Sequence, residues 1–252
     1  MSKTIIILAA AAAALVAGSA LASTPAAAAS VKHKATPQQV AANALPPASN
    51  VAPAGEPAAA PGAAYVINGF RSATFGMTED QVKAAVTRDF GVTADKIRTE
   101  ANPMQRTSAL VVQTSLPPGP GQATISYIFG ASTHRLMHVN VIWATAATPT
   151  DADRAAIAAA GLQLANYFRA QPWTPKTPVR AGLIGNGSGL LMFDATDSKG
   201  GSVQVEADNI PLSQTVAGKT QSNTPKGPAA LRVAYAQDAA HPDVFAIQPG
   251  AF

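Results

Sequence analysis

Apolar and polar residues alternate over three runs between residues 108 and 143, and this alternation constrains the fold more than any other feature. The runs are 108–114, 122–129 and 136–143, and a short polar turn at 130–135 separates the last two. The two sides of the third run differ in character: Met137, Val139, Val141 and Trp143 share one side, and His138, Asn140 and Ile142 share the other. A period of two predicts half-buried strands, and the short turn predicts an antiparallel hairpin.

Two helices are predicted around these strands. Thr78 with Gln81 three residues later matches a capping box, and Gly91 is a typical helix stop, so the first helix is expected over 78–90. Its apolar stripe is Val82, Ala85, Val86 and Phe90. Acidic residues in the first turn mark a second helix over 150–169. Its stripe is Ile157, Gly161, Leu164, Ala165 and Phe168.

Strand patterns return after the second helix, at 179–184, 189–195, 202–207 and 230–236. The sequence therefore predicts an α+β domain over 65–252, with an antiparallel sheet packed on two helices. A tandem helix-plus-three-strand arrangement, with halves at 65–147 and 148–252, is one version of this fold. A shift of 64 residues aligns several apolar positions: Phe129 with Phe193, Val139 with Val203, and Val141 with Val205. A duplication explains these matches, and so does the alternation that any two hairpins share.

The N-terminal part of the chain predicts export. Residues 1–22 match a secretory signal peptide, with a positive Lys3, an apolar stretch at 5–18 and a small-residue cleavage site at 20–22. The apolar stretch is shorter than a membrane span, so no stable span is expected after cleavage. Residues 23–64, which are rich in proline and alanine, are expected to form a disordered leader. The protein is accordingly expected in the periplasm or outside the cell.

Composition excludes several kinds of site. The 252 residues include no cysteine, which excludes disulfides, Cys-ligated metals and thiol nucleophiles. The formal charge is only +4 at pH 7, which gives no argument for a nucleic-acid partner. The sequence assigns no catalytic residue, no cofactor and no metal, and it leaves the oligomeric state open.

Three clusters suggest chemistry, and each has a simpler interpretation. His134 and His138 lie four residues apart in a strand pattern, about 13 Å, which is too far to share one metal ion. The glycine-rich segment 185–189 lacks the spacing of a nucleophile elbow or a phosphate loop and predicts a hairpin turn. The carboxylates that could suggest calcium lack the spacing of a calcium loop and are predicted to form turns: Asp194, Asp197 and Asp208.

Three residues are candidate contacts for a partner. Trp173 lies between prolines and fits either an exposed aromatic contact or a cover over the second helix. Tyr127 fits either the core or an interface. His138 fits either a contact or a half-buried position in the sheet.

The segment Gly76-Met77-Thr78-Glu79-Asp80-Gln81-Val82 resembles the start of the SmpA/OmlA family of outer-membrane assembly lipoproteins. The beta-lactamase inhibitory proteins are similar in architecture, with a helical segment and an antiparallel sheet repeated in tandem. This resemblance implies a non-catalytic, protein-binding module. The chain departs from the lipoproteins because it has no lipobox cysteine and has Gly91-Val92-Thr93 where they often have Gly-x-Pro. Membrane anchoring and partner identity are therefore not carried over.

Three functions fit these features. The first is an exported, non-catalytic periplasmic module that binds an envelope protein or helps envelope assembly. The second is a periplasmic hydrolase or ligand-processing enzyme with a polar cleft, and the third is a secreted protein inhibitor. A pocket with convergent titratable groups favours the enzyme, and a flat exposed sheet face with aromatic residues favours binding.

Overall fold

The computed structural model describes residues 63–184, 188–216 and 219–246, which belong to one compact unit. The predicted signal peptide and nearly all of the predicted leader lie outside the described residues. The helices are α1 (Glu79–Phe90) and α2 (Asp151–Arg169). The strands are β1 (Gly69–Phe70), β2 (Ala73–Thr74), β3 (Arg98–Asn102), β4 (Thr107–Ser115), β5 (Gln122–Phe129), β6 (Leu136–Ala144), β7 (Val179–Ile184), β8 (Gly189–Thr196), β9 (Ser202–Asp208), β10 (Ser213–Val216), β11 (Lys219–Ser222) and β12 (Ala230–Ala236).

Eight strands form one antiparallel sheet in the order β3-β4-β5-β6-β12-β9-β8-β7. The pairs β1-β2 and β10-β11 are separate short hairpins. With its two helices, this arrangement confirms the predicted α+β fold. No helix among the described residues is long and apolar enough to cross a membrane.

Both helices begin with the capping chemistry that their sequences encode. The Thr78 hydroxyl accepts a hydrogen bond from the Gln81 amide at 3.3 Å, and the Gln81 side chain accepts one from the Thr78 amide at 2.9 Å. Thr150 and Asp153 form the same reciprocal pair at the start of α2. Gly91 ends α1 in the left-handed conformation at φ 65°. These contacts satisfy backbone groups that a helix end leaves unpaired, so they fix the helix limits.

One hydrophobic core lies between the two helices and one face of the sheet. The helices contribute the predicted stripes, including Val82, Ala85, Val86, Ile157, Leu164, Ala165 and Phe168. The sheet contributes its largest side chains, including Trp143, Tyr127, Phe129 and Phe193. Gly161 of α2 allows close packing here, because a Cβ at that position would lie 2.5 Å from the Met192 sulfur and would push that side chain aside. Since both helices pack into the same cluster, both cover the same face of the sheet.

The core face of β6 differs from the predicted alternation at one position. Leu136 pairs with Phe129 and His138 pairs with Ile128, so Met137 has no partner on β5 and forms a bulge. Leu136 is fully buried in the core, whereas Met137 is only half-buried. The expectation that Met137 shares the core side is therefore wrong, because a bulge resets the alternation by one residue.

Each helix is followed by four strands of the sheet rather than by three. The additional strand of the first group is β3, which the sequence analysis does not predict. The second group consists of β7, β8, β9 and β12, all of which were predicted, and the unpredicted hairpin β10-β11 lies between its last two strands. The two groups meet at β6 and β12 in the middle of the sheet. Counted from its outer edge inward, the first group has the order β3-β4-β5-β6 and the second has the order β7-β8-β9-β12, so the two orders are mirror images.

This order bears on the matches at a shift of 64 residues. The shift places β5 and β6 on β8 and β9. By position in the sheet, however, β5 corresponds to β9 and β6 corresponds to β12. The aligned residues therefore reflect the alternation common to two hairpins, and duplication of the halves 65–147 and 148–252 stays a hypothesis.

Candidate functional site

The face of the sheet opposite the helices is the candidate site, and we call it the open face. Its central row crosses the sheet at directly paired positions: Val111, Ser126, Asn140, Ala234, Gln204 and Asp194. Val111 and Ala234 are buried by their neighbours on the sheet but do not belong to the hydrophobic core. The row next to it contains Thr124, Ile142, Arg232, Glu206 and Leu191. No described helix lies over these side chains, so most of them are half-buried rather than enclosed.

Side-chain type divides cleanly between the two faces. The aromatic side chains of the eight-stranded sheet lie on the covered face: Tyr127, Phe129, Trp143, Phe193 and Tyr235. The open face carries small polar and aliphatic residues, and its strands carry three basic and four acidic side chains: Arg98, Arg180, Arg232, Glu100, Asp194, Glu206 and Asp208. The open face is therefore slightly acidic, although the whole chain has a formal charge of +4.

A charged cluster occupies the centre of the open face. Arg232 of β12 donates to Gln204 at 2.7 Å and to Glu206 at 2.6 Å, and both acceptors lie on the adjacent β9. The side chains of Arg232 and Glu206 are 23% and 17% exposed, so water screens this ion pair only partly. The cluster fixes the orientation of three polar side chains at the centre of the open face.

Asp208 is the unpaired carboxylate of this surface. It lies at the end of β9, against Gly189 of β8, where an added Cβ would collide with the carboxylate. No hydrogen bond or ion pair to its side chain exists within the described residues. Burial, and then the neighbouring Glu206 charge, raises the pKa of Asp208 above its usual value, although Arg232 opposes this. A cation close to Asp208 would favour the charged form of the carboxylate and offset the repulsion by Glu206.

His138 lies on the open face, at the half-buried sheet position considered for it. Its Nε2 lies 3.1 Å from Oδ1 of Asn140, two residues along β6, and donates to that oxygen in the Nε2–H tautomer. Burial lowers the pKa of His138, and the charge of Arg232 lowers it further, while the Asn140 contact raises it. At neutral pH the ring is therefore uncharged, and a role in partner contact remains a prediction.

The other two candidate contacts belong to the core side. Trp173 packs edge-on against Tyr65 at 4.9 Å between ring centroids, and its indole N–H donates to the Phe168 carbonyl at 2.6 Å. Trp173 is thus a half-buried cover over the end of α2, and its role as a partner contact stays a prediction. Tyr127 is fully buried, so of its two predicted roles it has the core one. Its hydroxyl has no hydrogen-bond partner in the described structure, and burial raises its pKa.

The residues considered for metal chemistry are spread over separate places. His134 lies in the exposed turn before β6, away from the strand that holds His138. Of the three aspartates, only Asp197 forms a turn, accepting from the amides of Lys199 and Gly201 and also from Ile67 at 2.7 Å. The turn assignment is wrong for Asp194 and Asp208, which lie within strands because their segments continue the sheet. Among the described residues, no three His, Asp or Glu side chains are grouped to hold a metal ion.

Two shallow depressions lie outside the open face or at its edge. One, of about 400 Å³, lies beside the start of α1 and is lined by Thr78, Glu79, Asp80, Thr133, His134 and Arg135. The other, of about 470 Å³, adjoins β3 and is lined by Val92, Asp95, Lys96, Arg98, Gln113 and Gln122. In the first, Glu79 already accepts a hydrogen bond from the Ser108 hydroxyl at 2.8 Å.

The sequence analysis missed a clasp formed by the C-terminal segment. The Asp243 carboxylate accepts from the Thr133 amide and hydroxyl at 2.8 and 2.7 Å and from the Ser132 amide. The Phe245 ring lies under the Arg106 guanidinium at 3.8 Å. The clasp ties two loops at one end of the sheet, more than 100 positions from Asp243, so local patterns contain no signal for it.

No protein-family model, curated protein or solved structure matches this chain. Its functional class is therefore argued from the geometry of the sheet itself.

Proposed function

We propose that this chain is an exported, non-catalytic module that binds an envelope protein through the open face. The observation that carries the proposal is the one-sided sheet: both helices pack on one face, and the other presents ordered polar side chains without a described covering element. The tandem order of helix and strands also supports it. The assembly lipoproteins and the beta-lactamase inhibitory proteins, which the chain resembles, are protein-binding modules. A secreted inhibitor is a special case of the same surface.

The chemistry of the open face limits the partner. The Arg232 side chain already forms an ion pair with Glu206, whereas the Asp208 carboxylate forms no hydrogen bond or ion pair among the described residues and is only partly compensated by the Arg232 charge. A complementary partner therefore offers a Lys or Arg side chain to Asp208, with small or aliphatic groups over the row through Asn140 and Ala234. Burial and the Glu206 charge disfavour the charged form of Asp208, and a cation beside the carboxylate would favour that form.

The proposal is tested by capturing partners from an envelope fraction with the mature protein. Asn140→Arg places a long cation at the centre of the open face, and Gln163→Arg places the same group on the exposed side of α2 as a matched control. We expect the natural protein and the Gln163→Arg variant to retain the same envelope protein, and the Asn140→Arg variant to lose it. Asp208→Asn should weaken the interaction by about three- to tenfold through the lost charge.

Two outcomes would contradict the proposal. Retention of the same partner by Asn140→Arg with unchanged affinity would mean that the open face is not the binding surface. Loss of the partner by Gln163→Arg alone would move the site to the helix side. An enzyme at the depression beside α1 stays the alternative, and a ligand whose binding is lost in Glu79→Gln but kept in Asn140→Arg would favour it.

A further inference from the structure

The two edges of the eight-stranded sheet differ in their protection against pairing. One edge is β3, where Arg98 and Glu100 form a loose ion pair at 3.8 Å and Pro103 follows at once. The other edge is β7, whose sequence Val-Arg-Ala-Gly-Leu-Ile contains one charged residue. Charges and prolines at a sheet edge discourage the addition of another strand. A proline flanks each edge strand, Pro103 after β3 and Pro178 before β7, so the two edges differ in charge. The strand β3 carries two charged side chains and β7 carries one, which leaves β7 the less protected edge.

The side chains of β7 are also unusually exposed for their type. Val179 and Leu183 are 49% and 52% exposed, and both point to the helix side, opposite Ala195 and Leu190 of β8. Arg180 points to the open face and donates to Asp194 at 2.6 Å, so its charge is compensated within the chain. Within the described residues β7 pairs with β8 alone, which leaves the backbone groups of its outer edge for another strand.

We propose that two copies of this chain join through their β7 edges, antiparallel, with Ala181 of each copy on the two-fold axis. Val179 of one copy then lies opposite Leu183 of the second copy, and the reverse pair follows from symmetry. Arg180 lies opposite Gly182, whose lack of a side chain leaves space for the guanidinium. The two sheets become one sheet of sixteen strands.

The sequence of β7 is what selects a second copy as the occupant. Two positions before and after Ala181 the strand has the apolar residues Val179 and Leu183. One position before and after it are Arg180 and Gly182, so in the proposed pair the charged residue lies opposite a glycine. The strand is therefore complementary to itself about a two-fold axis, with no pair of like charges directly opposite. This register also keeps both pairs of helices on one side, so the two open faces become continuous. The inference goes beyond partner binding and stands without it.

Cysteine cross-linking tests the register, because the natural chain has no cysteine. In the proposed pair the Cα atoms of the two Ala181 residues lie about 4.5 or 5.5 Å apart, within the range of a disulfide. Ala181→Cys should therefore give a disulfide-linked dimer with oxidised glutathione as the oxidant. The matched control is Ala101→Cys on the exposed β3 edge, and Val179→Cys is the register control, since its two copies would lie about 13 Å apart.

Sedimentation of the mature natural chain tests the association without a cross-link. A contact of one strand is smaller than a standard interface of about 1,600 Å², so we expect a dimer that dissociates on dilution. Leu183→Lys should raise the dimer Kd at least about tenfold, since it replaces two apolar pairs with buried cations. Leu162→Lys changes an equally exposed leucine, 55% exposed, on α2 and should leave the Kd unchanged.

Selective linkage through residue 181, together with a concentration-dependent dimer weakened by Leu183→Lys, supports the proposal. Equal linkage of Ala181→Cys and Ala101→Cys would overturn it, and so would a natural chain that stays monomeric up to about 1 mM. A monomer whose captured envelope partner is lost with Leu183→Lys would also overturn it, and would assign the β7 edge to a strand of that partner. Loss of capture with Asn140→Arg leaves the dimer intact, so the two proposals fail independently.

Discussion

The two faces of the sheet share the same backbone but differ in what holds their side chains in place. On the covered face, Ile125 is fully buried in the core that both helices share and contributes stability through packing. On the open face, the adjacent Ser126 is paired with Val111 and Asn140 of the neighbouring strands and is half-buried. The contrast teaches that alternate residues of one strand can carry separate tasks: one set holds the fold together and the other is free for recognition. Substitutions on the two faces should therefore differ in kind.

The largest expected effect is on stability and comes from the covered face. Ile125→Ala should lower the free energy of unfolding by about 2–5 kcal/mol, because it removes buried methyl groups and leaves a cavity. Ser126→Ala, one residue away on the open face, should change it by no more than about 0.5 kcal/mol. Urea denaturation of both variants measures the difference. Equal costs would mean that the open face is covered in solution.

The next effect concerns the charged cluster of the open face. Arg232→Ala and Glu206→Ala should each lower the free energy of unfolding by about 1–3 kcal/mol, since each leaves its partner partly buried and unpaired. The double variant should lose less than the sum of the two, with a coupling energy of about 0.5–3 kcal/mol. A double-mutant cycle in urea checks this, and purely additive losses would show that the two side chains act separately.

A smaller effect is expected where a polar atom is buried on the covered face. Tyr127→Phe removes a hydroxyl that has no hydrogen-bond partner in the described structure, and the ring remains packed. We expect the free energy of unfolding to rise by about 1 kcal/mol, because an unsatisfied buried group costs energy. Thermal denaturation measures the shift. A loss of stability of similar size would mean that an internal water molecule satisfies the hydroxyl.

The smallest effect is a pH dependence of the open face. Burial lowers the pKa of His138 below its unfolded value of about 6.5, so the unfolded chain binds the proton more readily. His138 therefore makes stability fall as the pH drops from about 6.5 toward its lower folded pKa. His138→Gln should flatten this part of the profile, and His134→Gln, in an exposed turn, should not. A flat natural profile between pH 5 and 7 would contradict the burial of His138.

The sequence predicts most of the fold because most of its signals are local. The capping pairs at Thr78 and Thr150 and the alternation in β5 and β6 act within a few residues, and the structure follows them. The strand β3 is polar and exposed, so no apolar alternation marks it. The bulge at Met137 depends on pairing with β5, which a pattern along β6 alone does not contain.

The candidate site is less predictable because its geometry depends on distant pairings. The contact between Arg232 and Glu206 exists because β12 inserts between β6 and β9, after an intervening hairpin. Nothing near Arg232 in the sequence indicates that order. Aromatic residues are also a poor guide to the partner surface, since Trp173 and Tyr127 are candidate contacts by sequence but lie on the core side of the sheet. A tyrosine in an alternating strand has the same pattern whether its face is covered or open.

Photo-cross-linking from the two sides of the sheet tests the central claim most directly. A benzophenone amino acid replaces Ser126 on the open face in one protein and Gln163 on the exposed side of α2 in another, within the cells that produce them. The same envelope protein should be linked from position 126 and not from position 163. Linkage from position 163 alone, or no specific adduct from position 126, would contradict the open face as the partner surface.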